Sequence, residues 1–180
     1  QVYAQSRNKI LTLEEDNAGF AKYVFANREY FKLVCNYYLE YGYQTEGLPT
    51  TITLFGEWCG GNIQKGVGIT GLDKMFVQFG VKAGDRWLNV DEWRYNRSIN
   101  FYNIYQFPTY EMSIDFKHPE LATERLVVLT EQVEQMCPVA KHFNSEGIGE
   151  GIVWEASYLG NPLRFKVKGE KHSASKVKKL

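Results

Sequence analysis

The 180-residue chain predicts an α+β fold with mainly antiparallel sheet. Three observations carry that expectation. Runs rich in β-branched and aromatic residues, bounded by glycine or proline, recur along the chain. Two stretches instead repeat apolar residues near helical spacing. The strands come in groups broken by those two stretches, not in strict strand–helix alternation. The length suffices for one domain with its own core.

The elements follow in order. "QVYAQSRN" alternates briefly and predicts a short strand. In the next segment Asp16 or Asn17 can cap a helix whose apolar side holds Phe20, Val24, Phe31, Val34 and Tyr38, with Gly42 as its stop. "TTITLFGEW", between Pro49 and Gly60–Gly61, reads as a buried strand. "DKMFVQFGVKAGDRWLNV" reads as a hairpin turning at Ala83–Gly84–Asp85. Residues 91–115 are rich in Tyr, Asn and Phe and weakly periodic, so no element is expected there. "HPELATERLVVLTEQVEQMCP" predicts a helix that starts near Pro119, stops at Pro138 and buries Leu121, Val128, Leu129, Val133 and Met136. "EGIVWEA" and "LRFKVKG" are the last strands.

Bulk properties exclude several classes. Formal net charge is zero, so nothing marks the whole chain as a polyanion binder. Lysines do gather at the end, in "FKVKGEKHSASKVKKL". That end suits phosphate, although a lysine-rich terminus alone reads as a solvated tail. Cys35, Cys59 and Cys137 are odd in number and widely spaced. They support neither a disulfide framework nor a zinc site, and a reducing, cytoplasmic setting is expected. No apolar run approaches the ~20 residues of a membrane span, and no signal peptide is expected. The chain begins with Gln1, which suggests processing or a cut from something longer.

The chemistry concentrates in two places. In "FGEWCGGNIQKGVGI" a strand delivers Glu57 and then dissolves into a loop with Gly60, Gly61, Gly66 and Gly68. Glycine allows close backbone approach to a ligand, but neither GxxxxGK[ST] nor GxGxxG is present, and an ordinary glycine-rich turn is the better reading of the loop by itself. In "EGIGEGIVWEASYLGNPLRFKVKGEKHS", Glu150 opens one strand, and Lys166 and Lys168 share one face of the next. An aromatic such as Phe79 can stack on a base, a carboxylate can hold a ribose hydroxyl or a divalent metal, and paired lysines can neutralise a phosphate. Together they describe a nucleotide site. Taken singly, each has a plainer reading: surface carboxylates, a core phenylalanine, an exposed Arg7, a solvated lysine face. His118, His142 and His172 lack metal or triad spacing.

The order "VYAQSRN", "FGEWCGGNIQKGV", "DKMFVQFGV", "EGIV", "FKVKG" reverses those single readings. It resembles the adenylyltransferase domain of ATP-dependent RNA ligases of the RNA ligase 2 family, within the superfamily that also holds DNA ligases and capping enzymes. The resemblance runs from Tyr3 to about Lys178. It implies a nucleotidyltransferase (ATP-grasp-like) domain across residues 1–180, with antiparallel sheets around a nucleotide cleft and flanking helices. It implies ATP, a lysyl-AMP intermediate, Mg²⁺ or Mn²⁺, and RNA ends or nicked duplex as substrate. By motif, Arg7 would contact nucleotide or RNA phosphate, Glu57 would hold the ribose and Phe79 would stack on adenine. Glu150 would serve metal binding, and Lys166 and Lys168 would bind the α-phosphate. No membrane partner is expected, and a monomer is. The family's nucleophile sits in KxDG or KxHG, upstream of the segment matching "VYAQSRN". Neither motif occurs among the 180 residues, since "DKMF", "QKGV" and "AKHF" all fail it. The domain is therefore expected to be incomplete at its N-terminal side. Gly80 stands where relatives usually carry a polar residue. The alternatives are a DNA ligase of the same superfamily and a catalytically silent nucleotide- or RNA-binding fragment.

Overall fold

A computed structural model of the chain describes residues 1–41 and 51–171. The expected stop at Gly42, the Pro49 boundary and the end of the lysine-rich tail lie outside the described residues. The fold is α+β, as expected, and divides into two compact units. The first comprises Gln1–Trp58 with Met75–Ile104, the second Cys59–Lys74 with Tyr105–Leu180.

The first unit begins with a short antiparallel ribbon, β1 (Ala4–Gln5) with β2 (Ile10–Leu11). The opening strand is thus shorter than its alternating sequence suggests. Ser6 folds the chain back, its amide donating to the Lys9 carbonyl at 2.9 Å, and Arg7 sits in that turn. The single expected helix is two: α1 (Phe20–Ala26) and α2 (Arg28–Tyr41). Asn27 makes the break. Its amide side chain donates to the Tyr23 carbonyl at 2.8 Å, and its own carbonyl starts the next helix by accepting from Tyr30 and Phe31. Asp16 serves as the expected N-terminal cap from a distance, its carboxylate accepting from the amides of Ala21 at 2.7 Å and Lys22 at 3.1 Å.

Behind the helices stands a sheet of β3 (Ile52–Cys59), β4 (Met75–Ala83), β5 (Arg86–Leu88) and β6 (Phe101–Asn103). β4 and β5 form the expected hairpin. β6 falls in the stretch where no element was expected and pairs with β4 in parallel, Phe76 opposite Phe101. Its three residues are all buried. With both faces covered, no alternation betrays such a strand. The core between helices and sheet is aromatic: Phe31 meets Phe101 at 5.6 Å and 77°, and Phe20 meets Phe76 at 5.6 Å. Burying each such ring contributes about 1.5–3 kcal/mol.

The second unit holds α3 (Pro119–Gln135), α4 (Pro138–His142) and the antiparallel hairpin of β7 (Gly151–Tyr158) and β8 (Asn161–Lys168). Pro138 ends the long helix as expected but also starts α4, where a missing N–H costs nothing. The buried face of α3 departs from expectation. Leu129 and Val133 are buried, but so are Thr130 and Glu134, whereas Leu121, Val128 and Met136 are exposed. Among the described residues no helix is long and apolar enough to cross a membrane.

Candidate functional site

Three of the expected site residues belong to the first unit. Glu57 is exposed near the end of β3. Alternation sets it on the face opposite the neighbouring Gly56, which is closely packed. A Cβ on Gly56 would collide with the Phe76 ring and come within 2.8 Å of the Val77 carbonyl oxygen. After Glu57, the Trp58 indole donates to the Ala18 carbonyl at 3.1 Å and ties the strand to the start of α1. Phe79 is half-buried on β4. Around it the alternation slips. Phe76 joins the cluster beneath α1 and α2, and the Gln78 amide reaches the Tyr38 hydroxyl at 3.5 Å. Val81 packs on Val34 and Tyr38 as well. The buried positions of β4 shift by one residue between Gln78 and Val81, both of which lie on the side of Tyr38. Arg7 is exposed in the β1–β2 turn rather than on a strand.

The glycine-rich loop belongs to the second unit from Cys59 onward, and there Gly60, Gly61 and Gly68 face protein, whereas a Cβ on Gly66 would meet nothing within 4 Å. Gly60 and Gly61 have φ of +85° and +55°. The Gly61 amide donates to the Leu72 carbonyl at 2.6 Å, closing the loop on itself. Gly68 donates to the Ile148 carbonyl at 2.8 Å, and a Cβ there would press on Ala140 at 2.8 Å and Cys137 at 3.0 Å. A Cβ on Gly147 would in turn come within 2.6 Å of the Gly68 α-carbon. The close approach glycine permits is here between two backbone segments. It locks the residues just ahead of Glu150.

Glu150, Lys166 and Lys168 also lie in the second unit. Lys168 stands opposite Gly151 across the hairpin, and Lys166 opposite Val153. Both lysines are exposed, while Val167 between them is half-buried opposite Ile152. The two ammonium groups therefore project from one face, with α-carbons about 6.6 Å apart. The Lys166 ammonium donates to the Glu150 carboxylate at 2.8 Å. This pair is about a third exposed on each side, so it is worth about 0–1 kcal/mol and an incoming anion can displace it. The Lys168 ammonium has no ion-pair partner among the described residues. Farther along the same face Arg164 holds Glu155 at 2.6 Å.

Two contacts from the end of α3 set the backbone of this hairpin. The Val133 carbonyl accepts from the Gly149 amide at 2.9 Å, one residue before Glu150. The Glu134 carboxylate accepts from the Lys171 amide at 2.6 Å, three residues after Lys168, and Gly169 packs directly on it. The Gly169 amide then donates to the Glu150 carbonyl at 3.2 Å. A cavity of about 490 Å³ lies elsewhere in this unit, lined by Tyr110, Glu111, Met112, Ser113, Trp154 and Glu155. None of the six expected site residues lines it.

A family model described as RNA ligase matches residues 1–168. The chain belongs to the RNA ligase family. No curated protein and no solved structure matches it. Family membership makes it a ligase-type nucleotidyltransferase that acts on RNA.

For this RNA ligase domain, sequence reasoning missed two residues that shape the candidate regions. Glu134 was hidden because its partners, Gly169 and Lys171, are remote along the chain. Asn103 was hidden in an aromatic stretch without periodicity. It is fully buried, and its amide donates to the carbonyls of Asp91 at 3.1 Å, Glu92 at 3.0 Å and Arg94 at 3.2 Å. Among the described residues no cluster of three or more His, Cys, Asp or Glu side chains forms a metal cage. A single carboxylate such as Glu150 still suits Mg²⁺ or Mn²⁺, which rely on substrate phosphates and water for most of their ligands.

Proposed function

We propose that the chain carries the phosphate-binding part of an ATP-dependent RNA ligase that joins 5′-phosphate and 3′-hydroxyl ends through enzyme–AMP and RNA-adenylate intermediates. The observation that carries this reading is the pair Lys166 and Lys168 on one exposed strand face beside Glu150, in a chain of the RNA ligase family. In the sealing step a 3′-hydroxyl oxygen attacks the phosphorus of the adenylylated 5′-phosphate. A new P–O bond forms, the bond to the AMP phosphate oxygen breaks, AMP leaves with the electron pair, and the hydroxyl proton passes to solvent. Charge grows on the phosphoryl oxygens, and two fixed ammonium groups stabilise it. Lys166 exchanges its Glu150 partner for the phosphate. Glu150, once released, is the carboxylate that would hold Mg²⁺ or Mn²⁺, and the ion would add further charge neutralisation at the phosphates. Glu57 holds the ribose, Phe79 stacks on adenine and Arg7 contacts a phosphate.

The test begins from RNA already adenylylated at its 5′ end, because no KxDG-like motif lies within the 180 residues. The chain with ATP and Mg²⁺ is expected to gain no covalent AMP adduct by intact mass, read without acid treatment because a lysyl–AMP phosphoramidate is acid-labile. Given a nicked duplex with a 5′-adenylylated strand, Mg²⁺ and no ATP, it is expected to seal the nick and release AMP. Tight binding of that nick with no sealing at any metal concentration would overturn the ligase reading in favour of a silent RNA-binding module.

A further inference from the structure

We propose that the loop Asp91–Arg97 is a stacking platform for an unpaired base of single-stranded RNA, with Trp93 as the stacking ring. The proposal rests on the chain's place among RNA ligases, not on the roles given to Glu150, Lys166 and Lys168. A single exposed aromatic is ordinary and carries nothing by itself. Trp93 differs in how its surroundings are built. Its side chain is 75% exposed, yet the backbone on both sides of it is fixed from beneath. Buried Asn103 draws in the carbonyls of Asp91, Glu92 and Arg94. The Tyr38 hydroxyl accepts from the Asp91 amide at 3.0 Å, and the Asp91 carboxylate accepts from the Trp93 amide at 2.9 Å. The Arg94 guanidinium lies 3.7 Å from the centre of the Tyr37 ring and 3.3 Å from Asp91.

Such a network fixes a loop that holds one large flat ring, Trp93, out toward solvent. A ring held out on a rigid backbone has little freedom left to lose, which is what makes a preformed contact surface effective. Every base presents a π-face once it is unstacked, so a lone indole suits single-stranded RNA without reading its sequence. The next turn supplies the second element of such a surface. Arg97 is exposed, with its guanidinium 5.7 Å from the Tyr95 ring, and its planar fork suits a backbone phosphate. The segment's charges cancel, Asp91 and Glu92 against Arg94 and Arg97. Binding at Trp93 is therefore a matter of stacking and not of counterion release, and this gives the proposal a signature.

The experiment titrates the full chain with a ten-nucleotide oligoadenylate RNA and reads fluorescence anisotropy at about 50 and 200 mM salt. Trp93→Ala is expected to weaken binding roughly five- to a hundred-fold, while Trp93→Phe keeps most of the affinity. The slope of log affinity against log salt should be the same in parent and Trp93→Ala, because no phosphate contact is lost. Arg97→Gln should lower that slope by about one. Unchanged affinity in Trp93→Ala, with its melting temperature matching the parent, overturns the proposal. So does a Trp93→Ala defect that appears only as altered self-association in sedimentation, which would make the loop a protein interface. The measurement involves no chemistry. A chain that binds the oligonucleotide through Trp93 but seals no adenylylated nick would refute the ligase reading and leave this one standing.

Discussion

Two ion pairs in this molecule are built in opposite ways. Asp91–Arg94, in the first unit, is hemmed in: Asn103, Tyr38 and Tyr37 hold the loop that carries it. Its charges serve to fix a backbone. Glu150–Lys166, in the second unit, has its backbone fixed by others, namely Val133, Glu134 and Gly169, and its charges face water. A pair of the first kind is a fastener. A pair of the second kind is a held-out ammonium that can change partners at little cost. The difference separates structural charge from charge available to a phosphate, and four measurements bear on it.

The largest effect is expected at the lysines. Lys166→Ala and Lys168→Ala should each slow single-turnover sealing of an adenylylated nick by more than tenfold, or about 1.4 kcal/mol of transition-state stabilisation. Their unfolding free energies should stay within about 0.5 kcal/mol of the parent, as for exposed side chains in general. Arginine at either position should rescue only in part, because a planar fork replaces a compact ammonium. Parent-like rates in both alanine variants would reduce this face to a solvated strand.

Next comes the support beneath that face. Glu134→Ala leaves the Lys171 amide without its acceptor and a hollow against Gly169. The expected loss is about 1–3 kcal/mol in denaturant unfolding. Glu134→Gln keeps an acceptor oxygen and should recover most of it. Equal losses in both variants would mean that the negative charge, and not the hydrogen bond, matters there.

These contrasts also mark what could be read from the sequence. The β4–β5 hairpin, the strands β7 and β8, the position of β3 and the buried side of α2 follow from period and turn chemistry, although β3, expected to be buried, is half-buried or exposed up to Cys59. β6, the break at Asn27 and the buried side of α3 do not. In each of those, a polar side chain settles the structure through a specific partner. Asn27 competes for a helix carbonyl, Asn103 gathers three loop carbonyls, and Glu134 meets a segment more than thirty residues away. Hydrophobic periodicity cannot register a polar residue buried by its partner. It instead assigned Leu121, Val128 and Met136 to an inside they do not occupy. Arg7, Glu57, Phe79, Glu150, Lys166 and Lys168 are candidates only through the order of motifs, because each residue type alone is commonplace.

A smaller effect is expected where the exposed pair is cut. Glu150→Gln removes the charge that holds Lys166, yet stability should change by no more than about 1 kcal/mol. What should change is the metal dependence of sealing, with more Mg²⁺ needed to reach half the maximal rate. A large loss of stability with an unaltered metal requirement would place Glu150 with Asp91 among the fasteners.

The smallest effect is the pH dependence of the fastener itself. Burial disfavours the Asp91 charge, but hydrogen bonds from Tyr37 and the Trp93 amide, with the Arg94 charge, outweigh it and hold the carboxyl below its usual range. Tyr37 moves the opposite way, raised chiefly by its hydrogen bond to Asp91. The signs then define a window. A carboxyl with a lowered folded pKa contributes stability above its unfolded value, about 3.9, and loses it as pH falls through the folded value. A phenol with a raised folded pKa contributes below its unfolded value, about 10, and loses it as pH rises through the folded one. The bond from the neutral Tyr37 hydroxyl to the ionised Asp91 carboxylate should thus stabilise the fold between about pH 4 and pH 10. Tyr37→Phe removes that bond and keeps a ring beneath Arg94. Unfolding free energies of parent and variant should differ most near neutrality and converge at both extremes. A difference that stayed constant across the whole range would show that Tyr37 acts by packing alone, and that Asp91 is held by Arg94 and the loop backbone without it.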